Sequence, residues 1–190
     1  MSSRSGELFD QGLDFFAAAA ARLRAEDWER PTPCAGWTAR DVLGHLTMTA
    51  GYATGVMGGP QPTFPDVARP GDLVDGDPVE WWRATAERAR DALRDADLDR
   101  AMETPLGRTV ADDLAIPVID LYVHAWDLGT VIGSDVEIPA DLIDYAHGYV
   151  DPLPVDLVRG DGRAFALPVP VAATATPTER FIAWTGRAAR

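Results

Sequence analysis

Four stretches of this 190-residue chain repeat small and apolar residues at steps of three and four, the spacing that builds one face of an α-helix. The first runs from about Gly6 to Ala25 through Leu8, Gly12, Phe15, Phe16, Ala19 and Leu23. The second opens at Thr38, with Asp41 three residues on in the arrangement of a capping box, and continues through Val42, His45, Leu46, Thr49, Ala53 and Val56. Gly58, Gly59 and Pro60 end it. The third starts at Asp77 as N-cap with Pro78 in the first helical position, and buries Val79, Trp82, Ala86, Ala89 and Leu93. The fourth spans about Ile116 to Ile132, with Pro117 in its first turn, and puts Leu121, His124, Leu128 and Val131 on one face with Asp120 and Asp127 at the edge. An alternating stretch, Arg163 to Ala173, is broken by Pro168 and Pro170, so any strand there is short.

These stretches predict an all-α protein, a four-helix bundle with a long connection before the third helix and a less regular C-terminal segment. That connection, Gly59 to Asp77, is rich in Pro, Gly and Asp and reads as a surface loop able to cover a pocket. The C-terminal segment has a short helix from Ala140 to Val150, Pro-rich chain to Pro154, and a last helix that opens at Thr176, Pro177 and Glu179 and stops at Gly186. No repeat divides the chain, and residues 1–190 read as one domain.

Charge removes several classes of partner. Lys+Arg number 17 against 30 Asp+Glu, for a formal net charge of -13, so nucleic acid and anionic membranes are repelled at long range. Every basic residue is Arg, and neither Lys nor Asn occurs, which points to a GC-rich genome. No run approaches the ~20 apolar residues of a membrane span, and charges interrupt the apolar N-terminus. The single cysteine, Cys34, excludes an internal disulfide and suits a reducing compartment. The expectation is a soluble, cytoplasmic protein.

Two of the three histidines carry chemistry of interest. Asp120 and His124 stand four apart on the fourth helix, where neighbouring side chains can converge on one ion or simply hydrogen-bond to each other. His45, on the inward face of the second helix, adds a third donor of the same kind, and bundle cores build metal sites from facing helices in this way. Asp127, three residues after His124, either orients its imidazole or sits near the helix end. His147 reads as a satisfied core or surface residue. Cys34 reads as a small, soft side chain packed in a Pro/Gly loop, with activation by the helix start as the alternative, and Trp37 and Trp126 read as core or pocket wall.

Three segments, taken together and in order, carry a family resemblance. Thr32-Pro-Cys-Ala-Gly-Trp-Thr-Ala-Arg-Asp-Val-Leu-Gly-His45-Leu resembles the motif that opens the second helix in actinobacterial proteins of the mycothiol-dependent maleylpyruvate isomerase type, within the wider DinB/YfiT-like superfamily of metalloenzymes. Asp120-Leu-Tyr-Val-His124-Ala-Trp-Asp-Leu-Gly resembles the fourth-helix motif of that group. Thr178-Glu-Arg-Phe-Ile-Ala-Trp-Thr-Gly-Arg187 resembles the C-terminal signature of its smaller members. The resemblance implies a DinB-like four-helix bundle holding a divalent ion, zinc or alternatively nickel or another metal, through His45, Asp120 and His124. It also implies mycothiol as a small-molecule thiol cosubstrate, with an electrophilic substrate beside it. The isomerase itself carries Glu where this chain has Asp120, and has an additional C-terminal domain for which 190 residues leave no room.

Three protein ligands leave a tetrahedral ion one open position. A thiol bound there loses its proton without a protein base, which favours S-transfer or thiol-assisted isomerisation; an activated water would instead make a metal-dependent hydrolase. A non-enzymatic metal-binding or dimeric interaction protein, a possible homodimer, is the reading from another class.

Overall fold

Short-range side-chain bonds fix where several of the helices begin. The computed structural model describes residues 2–102, 108–160 and 162–188, and the chain divides into two compact units, Met1–Ser134 and Asp135–Arg190. In the first unit α1 spans Ser2–Ala20, α2 Ala39–Val56, α3 Pro78–Arg94, α4 the single turn Val110–Asp113, and α5 Ala115–Val131. At α2 the Thr38 hydroxyl accepts from the Asp41 N–H while the Asp41 carboxylate accepts from the Thr38 N–H, the reciprocal box that the spacing predicts. At α3 the Asp77 carboxylate accepts from the N–H groups of Val79 and Glu80, and Pro78 takes the first turn, where no N–H is needed. Pro117 is likewise in the first turn of α5.

Helix α1 begins and ends earlier than its periodicity predicts. Asp27 accepts from the Arg24 N–H and from the Arg30 guanidinium, which draws the chain into a 3-10 turn, Ala25–Glu29, beyond the end of α1.

The long helices close a ring: α1 packs on α5 and α3, and α2 packs on α3 and α5. This is the four-helix bundle expected of the sequence. Its core takes Leu8, Phe9, Leu13 and Phe16 from α1, Val42, Leu43, Leu46 and Ala53 from α2, Trp82 and Ala86 from α3, and nearly every side chain of α5. The buried aromatics keep their polar atoms bonded, since Tyr122 donates to the Leu8 carbonyl at 3.1 Å and Trp82 to the Leu13 carbonyl at 3.2 Å. A Cβ at Gly12 would lie 2.9 Å from both Leu121 and Tyr122, so this glycine lets α1 seat against α5.

The connection from Met57 to Asp77 is more than a surface loop. Its 3-10 turn, Pro70–Leu73, packs on α2 with Leu73 and Val74 buried, and a Cβ at Gly44 would fall 1.9 Å from the Pro70 carbonyl oxygen. Asp41 ties this strap down, accepting from the Gly71 N–H at 3.1 Å and from the Arg69 guanidinium. Burial by itself would raise the pKa of Asp41; the hydrogen bonds from the Thr38 backbone, Arg69, the Thr38 hydroxyl and Gly71 outweigh it and hold the group below its ordinary value of 3.8.

In the second unit α6 spans Ala140–Val150 as expected, α7 is the single turn Val155–Val158, and α8 is Pro177–Trp184 behind the Thr176/Glu179 box. Ile138, Leu142, Ala146, Val150, Phe165, Phe181 and Ile182 make its core. His147 bonds Asp151 at 2.9 Å and its ring lies 4.5 Å from that of Trp184, a packing role. The alternating stretch after Arg163 contributes only the isolated bridge Arg159–Phe165, because its prolines cannot donate to a ladder. Among the described residues no helix is long and apolar enough to cross a membrane.

Candidate metal centre

Helices α2 and α5 bring His45, Asp120 and His124 together, with one ligand atom from each lying within 4.8 Å of the others. His45 Nε2 is 3.3 Å from Asp120 Oδ2, and the two imidazoles are 5.1 Å apart between ring centres at a steep interplanar angle of 69°. Nitrogen and oxygen bound tetrahedrally to one zinc ion at about 2.0–2.2 Å stand about 3.3–3.5 Å apart. The donor set and the His45–Asp120 separation therefore fit a divalent ion. The side chains of His45 and Asp120 are partly open to solvent, and His124 is buried at 4% exposure.

A second layer lies behind His124. Its Nδ1–H donates to Asp127 Oδ2 at 2.8 Å, which leaves the Nε2 lone pair on the other side of the ring. Asp127 is fully buried, at 0% exposure, where its place on the amphipathic pattern predicts an edge. Helix α5 is enclosed almost all round, so its edge positions face protein as well. Of the two roles the sequence leaves open to Asp127, the bond to His124 is the one present.

Cys34 is the residue that sequence reasoning placed elsewhere. Its Sγ donates to Asp127 Oδ2 at 3.3 Å and lies 4.0 Å from His124 Nδ1, so it meets these two side chains as well as packing in its loop. The loop that holds it is tightly closed: Thr32 N–H donates to the Trp37 carbonyl, Trp37 N–H to the Cys34 carbonyl, and Ala39 N–H to the Arg30 carbonyl. Gly36 turns the chain there at a φ of +80°, open to glycine and strained for other residues. The available signal was position, since Cys34 lies four residues before the cap of the helix that carries His45. Trp37, half-buried, places its ring 5.1 Å from that of His45 and 6.2 Å from that of His124, forming a wall of the site. The strap after α2 borders a different feature, a cleft of about 430 Å³ lined by Met57, Pro60, Pro62 and Phe64, which none of the three ligand candidates lines.

Residues 9–129, which contain all of these side chains, match the family model of the mycothiol maleylpyruvate isomerase N-terminal domain. Two proteins of Mycobacterium tuberculosis, from strains CDC 1551 and H37Rv and both described as uncharacterized, are each 28% identical over 183 residues, covering 93% of this chain and 94% of theirs. The fold is similar to the crystal structure of the mycothiol-dependent maleylpyruvate isomerase, with a TM-score of 0.59 and 16% identity over 76% of this chain and 67% of that one. A histidine-to-alanine variant of that isomerase aligns over the same shares with a TM-score of 0.60 and 14% identity.

Proposed function

The chain belongs to the mycothiol maleylpyruvate isomerase N-terminal domain family, and from that premise we propose that it is a divalent-metal-dependent enzyme using a mycothiol-like thiol for S-transfer or thiol-assisted isomerisation. The observation that carries the reading is the meeting of His45, Asp120 and His124 between α2 and α5. These three would hold the ion, with zinc the ion proposed because the set is two imidazoles and a carboxylate. Such an ion would supply the positive charge that lowers the pKa of a thiol reaching it, so that a nucleophile would form at neutral pH.

The chain's own residues do the rest. Asp127 holds the proton on Nδ1 of His124 and thereby keeps the lone pair on Nε2. Trp37 walls both imidazoles and limits the water that reaches them. His45 and Asp120, the more open pair, face the side from which a thiol approaches. We assign the activity to the cytoplasm, where a reduced low-molecular-weight thiol and a chain with a single cysteine are compatible.

The test uses the Cys34→Ala variant loaded with cobalt, so that any sulfur at the ion comes from the ligand. Added mycothiol should produce sulfur-to-metal charge-transfer absorption, since a thiolate is a soft donor entering an open position. An unchanged cobalt spectrum at saturating mycothiol overturns the thiol-dependent reading.

A further inference from the structure

We propose that Cys34, His124 and Asp127 form a second, thiolate-bearing ion site on the Nδ1 side of His124, used in alternation with the Nε2 site. Sulfur, nitrogen and oxygen donors meet there with separations of 3.3 Å for Cys34 Sγ to Asp127 Oδ2, 2.8 Å for His124 Nδ1 to Asp127 Oδ2, and 4.0 Å for Cys34 Sγ to His124 Nδ1. Together these atoms fall within the spacing of a single ion's ligand shell. Around a tetrahedral zinc-sized ion, with metal–sulfur near 2.3 Å and metal–nitrogen or –oxygen near 2.0–2.1 Å, the corresponding edges are about 3.6 Å to sulfur and about 3.4 Å between nitrogen and oxygen. Each observed separation is within about 0.6 Å of its edge, so side-chain adjustments suffice and no backbone need move.

The donor sets sort the ions. His45, Asp120 and His124 offer nitrogen and oxygen, whereas the Cys34 side offers a thiolate, which selects thiophilic ions. His124 makes the two positions exclusive. A neutral imidazole has one lone pair; binding at Nδ1 moves the ring proton to Nε2, which then cannot ligate with His45 and Asp120. On binding, the Cys34 thiol proton is released to solvent, and Asp127 exchanges its hydrogen bond from Nδ1–H for a bond to the ion. A thiophilic ion on the Cys34 side thus takes away the imidazole that the other position needs.

The inference does not depend on the thiol-enzyme reading, because His45 belongs to one position only. Cadmium alone is titrated into the wild type, His45→Ala, Cys34→Ser and Asp127→Asn, with circular dichroism to check the helical fold of each. Expected is an ultraviolet thiolate-to-cadmium absorption that saturates at one equivalent in the wild type, persists in His45→Ala, vanishes in Cys34→Ser, and requires at least ten-fold more cadmium in Asp127→Asn. Absence of the band in folded His45→Ala overturns the second site. Two equivalents bound to one wild-type chain, with the band present, overturns the alternation.

Discussion

Asp41 and Asp127 are equally buried, at 1% and 0% exposure, yet their surroundings assign them opposite work. Asp41 is saturated by hard donors: the Thr38 N–H and hydroxyl, the Gly71 N–H and the Arg69 guanidinium. Each of those donors is fixed in charge, so the carboxylate is a permanent pin between the start of α2 and the strap. Asp127 instead accepts from His124 Nδ1–H and the Cys34 thiol, two groups that can themselves bind ions or move protons. A buried carboxylate held by backbone and arginine marks architecture. One held by imidazole and thiol marks a site whose state can change.

The largest effect should come from cutting the centre itself. His45→Ala removes a third of the nitrogen–oxygen set while leaving the core intact, because His45 is partly exposed and the packed stripes of α2 lie beside it. In a Cys34→Ser background, which removes the thiolate position, zinc retained after dialysis should fall to background, with helical circular dichroism unchanged. Stoichiometric zinc in this variant would remove His45 from the centre and end the contrast with Asp41.

Asp41→Ala should do the reverse, costing stability without emptying the centre. It deletes an N-terminal cap partner and orphans the buried Gly71 N–H, together about 2–4 kcal/mol. Urea unfolding reads the loss, and zinc per folded molecule should stay the same. The pH dependence follows from the same carboxyl. Its folded-state pKa lies below the ordinary 3.8, so its contribution is complete above that value and disappears as pH falls through the lower folded value. Wild type and Asp41→Ala should therefore converge in stability in strong acid and diverge above about pH 4.

How much of this is visible in the residues alone depends on range. The caps at Thr38 and Asp77 and the limits of Ala140–Val150 rest on contacts within one turn, and local sequence carries them. His45, Asp120 and His124 could be grouped because His45 and His124 lie on the inward stripes of facing helices and Asp120, at the stripe's edge, stands one turn before His124. Cys34 could not be placed, since its position depends on the Pro31–Thr38 bridge and the turn at Gly36, which no helical periodicity reports. Asp127 was set at an edge because periodicity measures one polar face, and α5 has almost none. The strap over α2 escaped for a related reason: Gly44 and Gly71 carry no pattern, and only their contact with Pro70 and Asp41 gives them meaning.

A smaller change should separate orientation from ligation. Asp127→Asn keeps size and a hydrogen-bonding oxygen but removes the charge that favours Nδ1–H on His124. Losing such an outer partner weakens metal affinity about 10–100-fold, equal to about 1.4–2.7 kcal/mol. A competition titration with a zinc-binding dye measures it. Wild-type affinity in the variant would make Asp127 a second pin like Asp41 and dissolve the distinction between them.

The smallest effect is expected where the centre is most open. Asp120→Glu adds one methylene and keeps the carboxylate. Overfilling a packed core costs about 1–3 kcal/mol, but the Asp120 side chain keeps 15% of its surface exposed beside a still more open His45, so the cost should lie near the low end. The longer carboxylate can withdraw toward solvent and still reach the ion from the same helical position, one turn before His124. Zinc stoichiometry should be unchanged and the urea midpoint only slightly lowered. The same variant probes the two layers against each other, since it alters the Nε2 side of His124 and leaves the bonds of Asp127 untouched. If zinc is lost while the thiolate-to-cadmium band survives, the reach of Asp120 is what the nitrogen–oxygen position requires. If zinc and the band are lost together in a folded protein, the two sides of His124 do not act as separate positions.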